Sequence, residues 1–519
     1  MILLLLPLVL VLLYYYTTRN HDYWAKRNVK HDKPIPVFGT LYKNYMVKKS
    51  ITEISVELYN KYPNEPVVGL YRGTTPELLI RDPDIVKKIL NVDFANFYPR
   101  GLGRDPKVET FFYNLFHIDG DIWKLLRQRL TPTFTTAKLK GMFPLVVQCA
   151  EKLQKVGEDI VNNDGECNVR ELMARFTTEF IGACGFGIQM DTINNDHSLF
   201  RDLGRKMFTR TWKNYLIVPL YDLFPDLRKV IVKVLHETFL MRSMEEIVQN
   251  IREQRNNKPI GRNDFIDLLL ELESKGKIVG ESVEKRDADG KPEQVEMEMD
   301  LTCMVAQVFI FFAAGFETSS SATSFMLHQL AYHPEEQRKI QNDIDRVLAK
   351  YDNKLSYDSI AEMTALSNGF KEAMRMFPSL GTLHRVCAKK YTIPELGITI
   401  DPGVKIIISV QALQNDEKYF DNPSEYNPDR FNDESVGTHH YTYLPFGEGP
   451  RKCIGARLGE MQSLAGLAAL LHKFSVEPAA TTKRQLEINH GSNVVQSVLG
   501  GIPLKLKTYI DIYIEFRIF

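Results

Sequence analysis

The longest uninterrupted helical pattern in the chain, Leu301–Tyr332, constrains the fold most strongly. At about 1.5 Å per residue, this stretch would form a helix about 48 Å long, which exceeds the usual length of a domain helix. Residues 304–312 are apolar almost all round, which favours burial. A second membrane span is the alternative, but Gln307 and Glu317 would be costly inside a bilayer. We therefore expect a buried central helix that ends before Pro334.

Length and composition fit one large domain. The chain of 519 residues exceeds the usual size of a single core, yet no flexible linker divides it. Strand-like patterns occupy residues 66–80 and 392–410 and helical patterns dominate the remainder, so we expect a mainly α fold with a small β part. Because Lys+Arg and Asp+Glu both number 65, bulk attraction to nucleic acid is not expected.

The first 18 residues form a candidate membrane anchor. Residues 2–16 read ILLLLPLVLVLLYYY, close to the lower end of the roughly 17–25 residues that span a bilayer. A cleaved signal peptide is the alternative, but the run has no basic start and no small-residue cleavage site. Residues 19–40 follow as a basic, proline-containing hinge, and their positive charge places the remaining chain on the cytosolic side.

Two further segments are set apart by composition. Residues 281–300 are highly charged and nearly free of large apolar side chains, which predicts a surface loop or a disordered insertion. Residues 508–519 alternate polar and apolar side chains, which fits an added edge strand without any functional account. We therefore divide the chain into an anchor (1–18), a hinge (19–40), a main domain (41–506) and a C-terminal extension of unknown role (507–519).

One cysteine has a chemically distinctive context. Residues 446–455 read FGEGPRKCIG, so two glycines and a proline form a tight turn before Cys453, which opens an apolar helix. A helix N-terminus favours the thiolate, and Arg451 suits a carboxylate on the same partner. A nucleophilic cysteine needs a histidine base, and none lies in the loop. The residues alone leave an activated nucleophile and a metal ligand open.

This loop resembles the F-x-x-G-x-R-x-C-x-G haem loop of the cytochrome P450 monooxygenases at every fixed position. Glu372 and Arg375 resemble the E-x-x-R pair of a core helix in that family, which Arg430 in the NPDRF segment would complete. Residues 314–318 are similar to A-G-x-E-T on its long central helix. The resemblance extends from the anchor to about residue 506, and some segments look like the insect microsomal branch that oxidises plant toxins and insecticides.

The resemblance implies a haem-thiolate domain that binds haem b (iron protoporphyrin IX) through Cys453. It further implies a set of residues that contact the haem and its propionates: Arg100, Trp123, Arg127, Arg385 and Arg451. Thr318 and Glu317 would be the catalytic pair, which positions dioxygen and supplies protons. A Thr318 hydroxyl that bonds to its own helix is the alternative for that residue.

The same resemblance implies an apolar pocket for a lipophilic substrate. Its candidate residues are Phe111, Phe116, Phe309, Phe312, Ala313, Leu383 and Val498. Each of these side chains could instead belong to the ordinary core.

The resemblance also implies partners and a location. The chain has no dinucleotide-binding glycine motif, so electrons would come from a membrane-bound NADPH–cytochrome reductase carrying FAD and FMN, with cytochrome b5 as a further candidate. A basic face would receive this partner, although a solvated surface is the alternative: Lys124, Arg129, Lys138, Lys140, Lys452 and Arg457.

The expected enzyme is a microsomal monooxygenase of the endoplasmic reticulum membrane that oxidises lipophilic foreign compounds. Hormone or other endogenous lipid metabolism is the alternative for the substrate. A reductase-independent haem-thiolate isomerase and a haem carrier are more remote alternatives.

Overall fold

A computed structural model provides the structure of this chain. It describes residues 2–102, 109–188, 190–193, 199–208, 217, 220–224, 230, 239–262, 264–432, 441–492 and 494–509. Within these residues, helices predominate and strands form a smaller part, as the sequence predicts.

The described helices are α1 (Ile2–Thr18), α2 (Tyr42–Tyr45), α3 (Ile51–Lys61), α4 (Pro83–Lys87), α5 (Phe94–Phe97), α6 (Gly120–Leu130), α7 (Thr136–Asn163), α8 (Val169–Ile181), α9 (Leu199–Phe208), α10 (Phe239–Gln254), α11 (Phe265–Ser274), α12 (Leu301–Tyr332), α13 (Pro334–Leu348), α14 (Tyr357–Glu362), α15 (Thr364–Met376), α16 (Val410–Leu413) and α17 (Ala456–Lys473).

The described strands are β1 (Val67–Arg72), β2 (Thr75–Ile80), β3 (Glu166–Asn168), β4 (Lys277–Arg286), β5 (Pro292–Glu298), β6 (Thr382–Val386), β7 (Tyr391–Ile393), β8 (Ile398–Ile400), β9 (Lys405–Ser409), β10 (Phe474–Pro478) and β11 (Pro503–Thr508).

The central helix α12 has the bounds that the sequence predicts. The Asp300 side chain caps its start by accepting a hydrogen bond from the Cys303 N–H at 2.7 Å. Although α12 is long and apolar enough to cross a membrane, most of its apolar window is buried inside the protein. It packs against α8 and α17. The buried Gln307 amide donates to the Tyr113 carbonyl at 2.9 Å, so this polar group is satisfied inside the fold.

The early and late strand patterns meet in one four-stranded sheet. Its order is β1-β2-β9-β6, with β2 parallel to β9 and the other neighbours antiparallel. A second sheet has the order β10-β11-β3. The first sheet has its own apolar core and brings β6, which carries Leu383 and Arg385, beside the cysteine loop.

The prediction of a loop or disordered insertion at residues 281–300 is wrong. β4 and β5 form an antiparallel hairpin in which Ile278 pairs with Met297. Both side chains are buried, as is that of Met299. A few apolar residues on one face therefore hold the hairpin, and the surrounding charges conceal their spacing in the sequence.

The candidate hinge packs onto the first sheet. The Trp24 ring is fully buried and lies so close to Gly69 that a Cβ there would overlap it. The Trp24 indole N–H donates to the Leu70 carbonyl at 3.2 Å. The Arg27 guanidinium pairs with the Asp401 carboxylate at 2.5 Å. These contacts join residues 24–27 to the body of the protein.

The predicted C-terminal extension begins inside a strand. Lys507 and Thr508 are the last residues of β11, where Thr508 pairs with Phe474. Residues 510–519, on which the suggestion of an added edge strand mainly rests, lie outside the described residues.

Glycines inside two core helices allow close packing. Gly369 in α15 lies against Met326 and the Tyr426 hydroxyl, which donates to the Gly369 carbonyl at 3.0 Å. Gly466 in α17 lies against the fully buried Phe176 ring, and a Cβ at this position would overlap the ring. At Gly466 packing against the rigid ring requires the absence of a side chain, whereas the neighbours of Gly369 are the ends of side chains.

We expect Gly466→Ala to destabilise the protein. Overpacking costs about 1–3 kcal/mol, and because a Cβ would overlap the Phe176 ring we expect this cost to exceed the roughly 1 kcal/mol that alanine gains in a helix. Urea unfolding followed by circular dichroism measures the net change. Gly141→Ala is the matched control, because Gly141 is exposed in α7 with no atom near its Cβ position, and we expect that variant to be more stable. An unfolding midpoint raised equally by both substitutions would contradict this packing.

Candidate active site

The cysteine loop is a closed turn before α17. Gly447 and Gly449 have φ values of 68° and 77°, in the left-handed region that favours glycine. A Cβ at Gly449 would overlap the Leu90 carbonyl. The Cys453 N–H donates to the Phe446 carbonyl at 2.9 Å. The loop therefore holds Cys453 in a fixed position at the start of the helix.

Cys453 is exposed, whereas the other five cysteines are buried or half-buried. Surrounding protein nevertheless raises the pKa of its thiol through burial. The Gly455 N–H and the charges of Arg100 and Arg127 lower the pKa and so oppose the effect of burial. Burial has the larger effect, so a metal that bound this sulfur would displace the thiol proton.

An accessible strip of the central helix lies near the cysteine loop. Ala314 is exposed and Thr318 is half-buried, although most of α12 around them is buried. The Gln462 amide of α17 donates to the Gly315 carbonyl at 2.9 Å, which joins the helix after Cys453 to this part of α12. The structure therefore brings the A-G-x-E-T segment and the cysteine loop into one region.

The two predicted catalytic side chains have different surroundings. The Thr318 hydroxyl donates to the Ala314 carbonyl at 2.7 Å, the alternative considered from the sequence, and its oxygen can still accept a hydrogen bond. Glu317 is buried, and its carboxylate forms an ion pair with the Arg170 guanidinium of α8. Arg170 also donates to the Ser320 hydroxyl at 2.8 Å.

Three of the predicted haem-contacting arginines form a cluster. The Arg100 guanidinium donates to the Arg451 carbonyl at 2.9 Å, and the Arg451 guanidinium binds the Asp119 carboxylate at 2.6 Å. Burial lowers the pKa of Arg100 to about 10 and that of Arg451 to about 9. The pKa of Arg385 falls well below its usual value because of burial and the charges of Arg100 and Arg451. The cluster therefore has an excess of positive charge.

Unpaired donors in this cluster fit an anionic ligand. Nε and Nη1 of Arg451 and Nε of Arg385 are buried without a hydrogen-bond partner. Leaving buried charged donors unpaired costs free energy, which carboxylates of a ligand would recover. A haem carries two propionate carboxylates. The donors, their charge and the neighbouring thiol thus fit the haem that the sequence resemblance implies.

Trp123 and Arg127 support the loop in this structure. The Arg451 guanidinium lies over the Trp123 ring, 4.3 Å from its centroid. Arg127 donates to the Lys452 carbonyl at 2.9 Å. Both residues lie on α6, so this helix forms one wall of the region around Cys453.

The predicted structural residues form a buried network. Arg375 binds the Glu372 carboxylate through two hydrogen bonds at 2.8 and 2.9 Å, and Arg430 approaches the same carboxylate at 3.5 Å. Arg375 also donates to the Gln414 carbonyl at 2.8 Å. The Gln414 side chain then accepts from the Leu444 N–H at 2.8 Å, which connects the network to the start of the cysteine loop.

Two of the predicted pocket residues, Phe116 and Leu383, contact the arginine cluster and the cysteine loop. The rings of Phe111 and Phe309 are buried in the main core and pack against each other with centroids 3.4 Å apart. Phe116 lies under the Arg100 guanidinium, 4.6 Å from its ring centroid. The Leu383 methyl groups lie 3.7–3.8 Å from the Cβ position of Gly447. Val498 is half-buried in the segment beside Gln496, which hydrogen-bonds to the Pro378–Ser379 backbone.

Two other predicted pocket residues face the protein core. The Phe312 ring is fully buried among the rings of Phe186, Phe200 and Phe316. Ala313 is also buried, and its neighbour Ala314 is the exposed position of the helix. A helix turns by about 100° per residue, so adjacent positions face different surroundings.

The structure adds residues that the sequence analysis missed. They are Asp119, Arg170, Gln414 and Gln462. Asp119, Arg170 and Gln414 contact predicted site residues that are distant in sequence, and Gln462 contacts the A-G-x-E-T segment. For example, 332 positions separate Asp119 from Arg451. The spacing of residues along the chain contains no signal for such contacts.

Comparison with known proteins gives the same family over nearly the whole chain. The family model "Cytochrome P450" matches residues 30–502. Cytochrome P450 6B6 of Helicoverpa armigera is 37% identical over 503 residues, which cover 96% of this chain and 97% of the relative. Cytochrome P450 6a2 of Drosophila melanogaster is 36% identical over 511 residues, with 96% and 97% coverage. Cytochrome P450 6k1 of Blattella germanica is 34% identical over 511 residues, with 97% and 96% coverage.

Members of this family bind haem, receive electrons from a redox partner, and use dioxygen to oxidise a substrate. The matched region includes the cysteine loop, the arginine cluster and the central helix. The chain therefore belongs to the cytochrome P450 family and is a haem-thiolate monooxygenase.

Proposed function

We propose that this enzyme is a microsomal monooxygenase that inserts one atom of dioxygen into lipophilic foreign compounds such as plant toxins and insecticides. Its electrons come from NADPH through a membrane-bound reductase carrying FAD and FMN. The observation that carries the proposal is the accessible Cys453 thiol, which lies between the arginine cluster and the accessible strip of α12. The likeness to insect relatives supports foreign compounds over endogenous lipids.

In this proposal, Cys453 binds the haem iron and the arginine cluster binds the propionates. When bound, the haem supplies oxygen-activating chemistry, because a thiolate ligand donates electron density to the iron. Arg385 and Arg451 hold the carboxylates through their buried N–H donors, and Arg100 adds its positive charge beside them. Arg127 contributes by fixing the Lys452 carbonyl, and Trp123 by supporting the Arg451 guanidinium.

Thr318 and Glu317 move protons in this proposal. The Thr318 hydroxyl donates its hydrogen bond to the Ala314 carbonyl. The Thr318 oxygen can therefore accept a hydrogen bond from a water molecule in the accessible strip of α12. The Glu317 carboxylate lies in the ion pair with Arg170, so it reaches such a water only by releasing Arg170.

An apolar and aromatic wall favours lipophilic substrates. Leu383 lies against the cysteine loop and Ala314 leaves room beside Thr318. In this proposal the contacting rings of Phe111 and Phe309 extend the wall. Such surfaces bind ligands by excluding water and impose few polar requirements on them. A broad set of lipophilic compounds is therefore expected.

The N-terminal helix supports a location on the endoplasmic reticulum membrane. α1 exposes apolar side chains from Leu8 to Tyr15, which burial in a lipid bilayer would remove from water. Arg19 follows and lies over the Tyr16 ring at 4.3 Å, as suits a polar–apolar boundary. The catalytic domain then faces the cytosol, where the reductase and cytochrome b5 are available as electron donors.

We expect the reduced protein to give the red-shifted Soret band of a thiolate-ligated ferrous–CO complex. Cys453→Ser should remove the band because serine offers no thiolate. Cys167→Ser is the control and should retain it, since Cys167 lies in β3. In parallel, oxidation of lipophilic test compounds should require both NADPH and reductase. Turnover that persists without them would favour an isomerase, and ligand binding without NADPH consumption would favour a carrier.

We expect Arg385→Met to weaken haem binding and to stabilise the haem-free protein or leave it unchanged. Removing one partner of a buried charge pair costs about 2–5 kcal/mol, so haem affinity should fall at least about thirtyfold. Without haem, the substitution removes an uncompensated buried charge. Haem transfer to apomyoglobin and urea unfolding measure the two effects. Arg484→Met, at an exposed position, should change neither, and an unaltered haem affinity in Arg385→Met would exclude the proposed propionate contact.

We expect Thr318→Ala to uncouple NADPH consumption from product formation. Loss of a positioned proton-relay group typically reduces the rate about a hundredfold or more, so reducing equivalents should appear as hydrogen peroxide. The ratio of product to NADPH consumed measures the coupling. Thr323→Ala is a matched control, because the Thr323 hydroxyl makes the same type of bond, to the Ser319 carbonyl at 2.8 Å, but is fully buried. Equal coupling in the two variants would assign Thr318 a structural role only.

A further inference from the structure

The β4–β5 hairpin is attached to the outer side of α6. The Asp121 carboxylate near the start of α6 accepts hydrogen bonds from the Ser282 hydroxyl at 2.8 Å and the Val283 N–H at 2.6 Å. The Tyr98 hydroxyl donates to the Glu284 carboxylate at 2.7 Å. Gly280 lies so close to the helix that a Cβ would be 2.7 Å from a Leu125 methyl group. The hairpin is therefore fixed against the helix.

The hairpin also contacts two cations of α6. The Arg129 guanidinium donates to the Val279 carbonyl at 3.1 Å. The Lys124 ammonium lies 3.9 Å from the Glu281 carboxylate. Both cations belong to the basic face predicted from the sequence, so part of that face is in contact with another segment of the same chain.

The basic face lies on the outer side of the cysteine loop. Arg127 links α6 to the loop through the Lys452 carbonyl, and Lys452 itself is exposed. Arg457 donates to the Thr136 hydroxyl at 3.1 Å, which links α17 to the start of α7. An electron donor that docks here approaches Cys453 from the solvent side of its loop. An acidic protein surface is the complement of these cations.

The hairpin has the opposite charge. Residues 277–298 contain seven acidic and four basic residues, a net charge of −3. The Glu281 carboxylate is mostly exposed, so it is available to compete with a second carboxylate for Lys124. The same cation thus faces an acidic group of its own chain and, during docking, an acidic group of the partner.

We propose that the β4–β5 hairpin is a built-in acidic competitor for the basic face and weakens the docking of an acidic reductase. This inference rests on the proposed function, because it takes the reductase as the electron donor. The hairpin carboxylates lower the positive potential beside the cysteine loop. Docking requires Lys124 to exchange Glu281 for a carboxylate of the reductase, so affinity is limited and the complex can dissociate between electron transfers.

Binding of a purified NADPH–cytochrome reductase to the full-length, haem-loaded protein in phosphatidylcholine vesicles tests this proposal. At low ionic strength, Glu281→Gln should lower the dissociation constant of the complex by roughly 1.5- to 5-fold, which corresponds to the free energy of an exposed ion pair. Lys124→Gln should raise the dissociation constant by a similar factor. Both differences should nearly vanish at about 1 M salt, where the screening length is about 3 Å.

A matched control removes a similarly exposed carboxylate from another place. Glu487→Gln breaks the exposed ion pair with Lys483 at 3.0 Å, in the segment that packs near the end of α12. That variant should bind the reductase as the unchanged protein does. A dissociation constant that is unchanged or higher in Glu281→Gln would overturn the proposal. It would mean that the hairpin is neutral toward docking or is itself part of the docking surface.

The binding measurement is independent of the proposed reaction. Failure of the unchanged protein to oxidise lipophilic compounds with NADPH and reductase would count against the proposed function. An altered affinity in Glu281→Gln would still support the hairpin's effect on docking in that case. Oxidation driven by an organic hydroperoxide, which needs no reductase, should be equal in Glu281→Gln and the unchanged protein. A loss of that activity would show that the hairpin acts on the site itself and would overturn the proposal.

Discussion

The ion pair between Glu372 and Arg375 is the interaction on which the position of the cysteine loop depends. Both side chains are fully buried, and a buried pair is tolerated only when its donors and acceptors are satisfied. Arg375 also donates to backbone carbonyls, one of them that of Gln414, whose side chain holds the Leu444 N–H. A helix of the core is thereby connected to the loop that carries Cys453. The accessible strip of α12 is positioned separately, through its packing against α17.

The parts of the molecule that the sequence predicted correctly are determined locally. Residues close together in the sequence set the bounds of α12 and the turn before Cys453, and the pairing of Glu372 with Arg375 needs only a helical spacing. Recognition of the family then identified more distant partners such as Arg430. Local geometry and a known pattern were therefore sufficient for much of the candidate site.

The remaining contacts could not be predicted because they join distant segments. Nothing near Glu317 indicates that Arg170 lies opposite its carboxylate, and the contact appears only once α8 packs against α12. The hairpin was missed for a different reason. Its composition is that of a solvated segment, and the few apolar residues that hold it, such as Ile278 and Met297, become informative only when paired across strands. Overall charge is a poor guide where a small apolar face is enough to fix a hairpin.

The burial of Trp24 has a practical consequence for shortening the chain. The apolar helix α1 is the segment to remove when the protein is prepared in aqueous solution, because its exposed apolar side chains favour association. A cut at Pro34 would leave the surface of Gly69 uncovered and the Leu70 carbonyl without its indole donor, although it removes only residues outside the catalytic region. A shortened chain that begins before Asp22 keeps Trp24 packed on the first sheet. It also preserves the ion pair between Arg27 and Asp401. The boundary between the apolar N-terminal helix and the folded body therefore lies ahead of the proline-containing stretch.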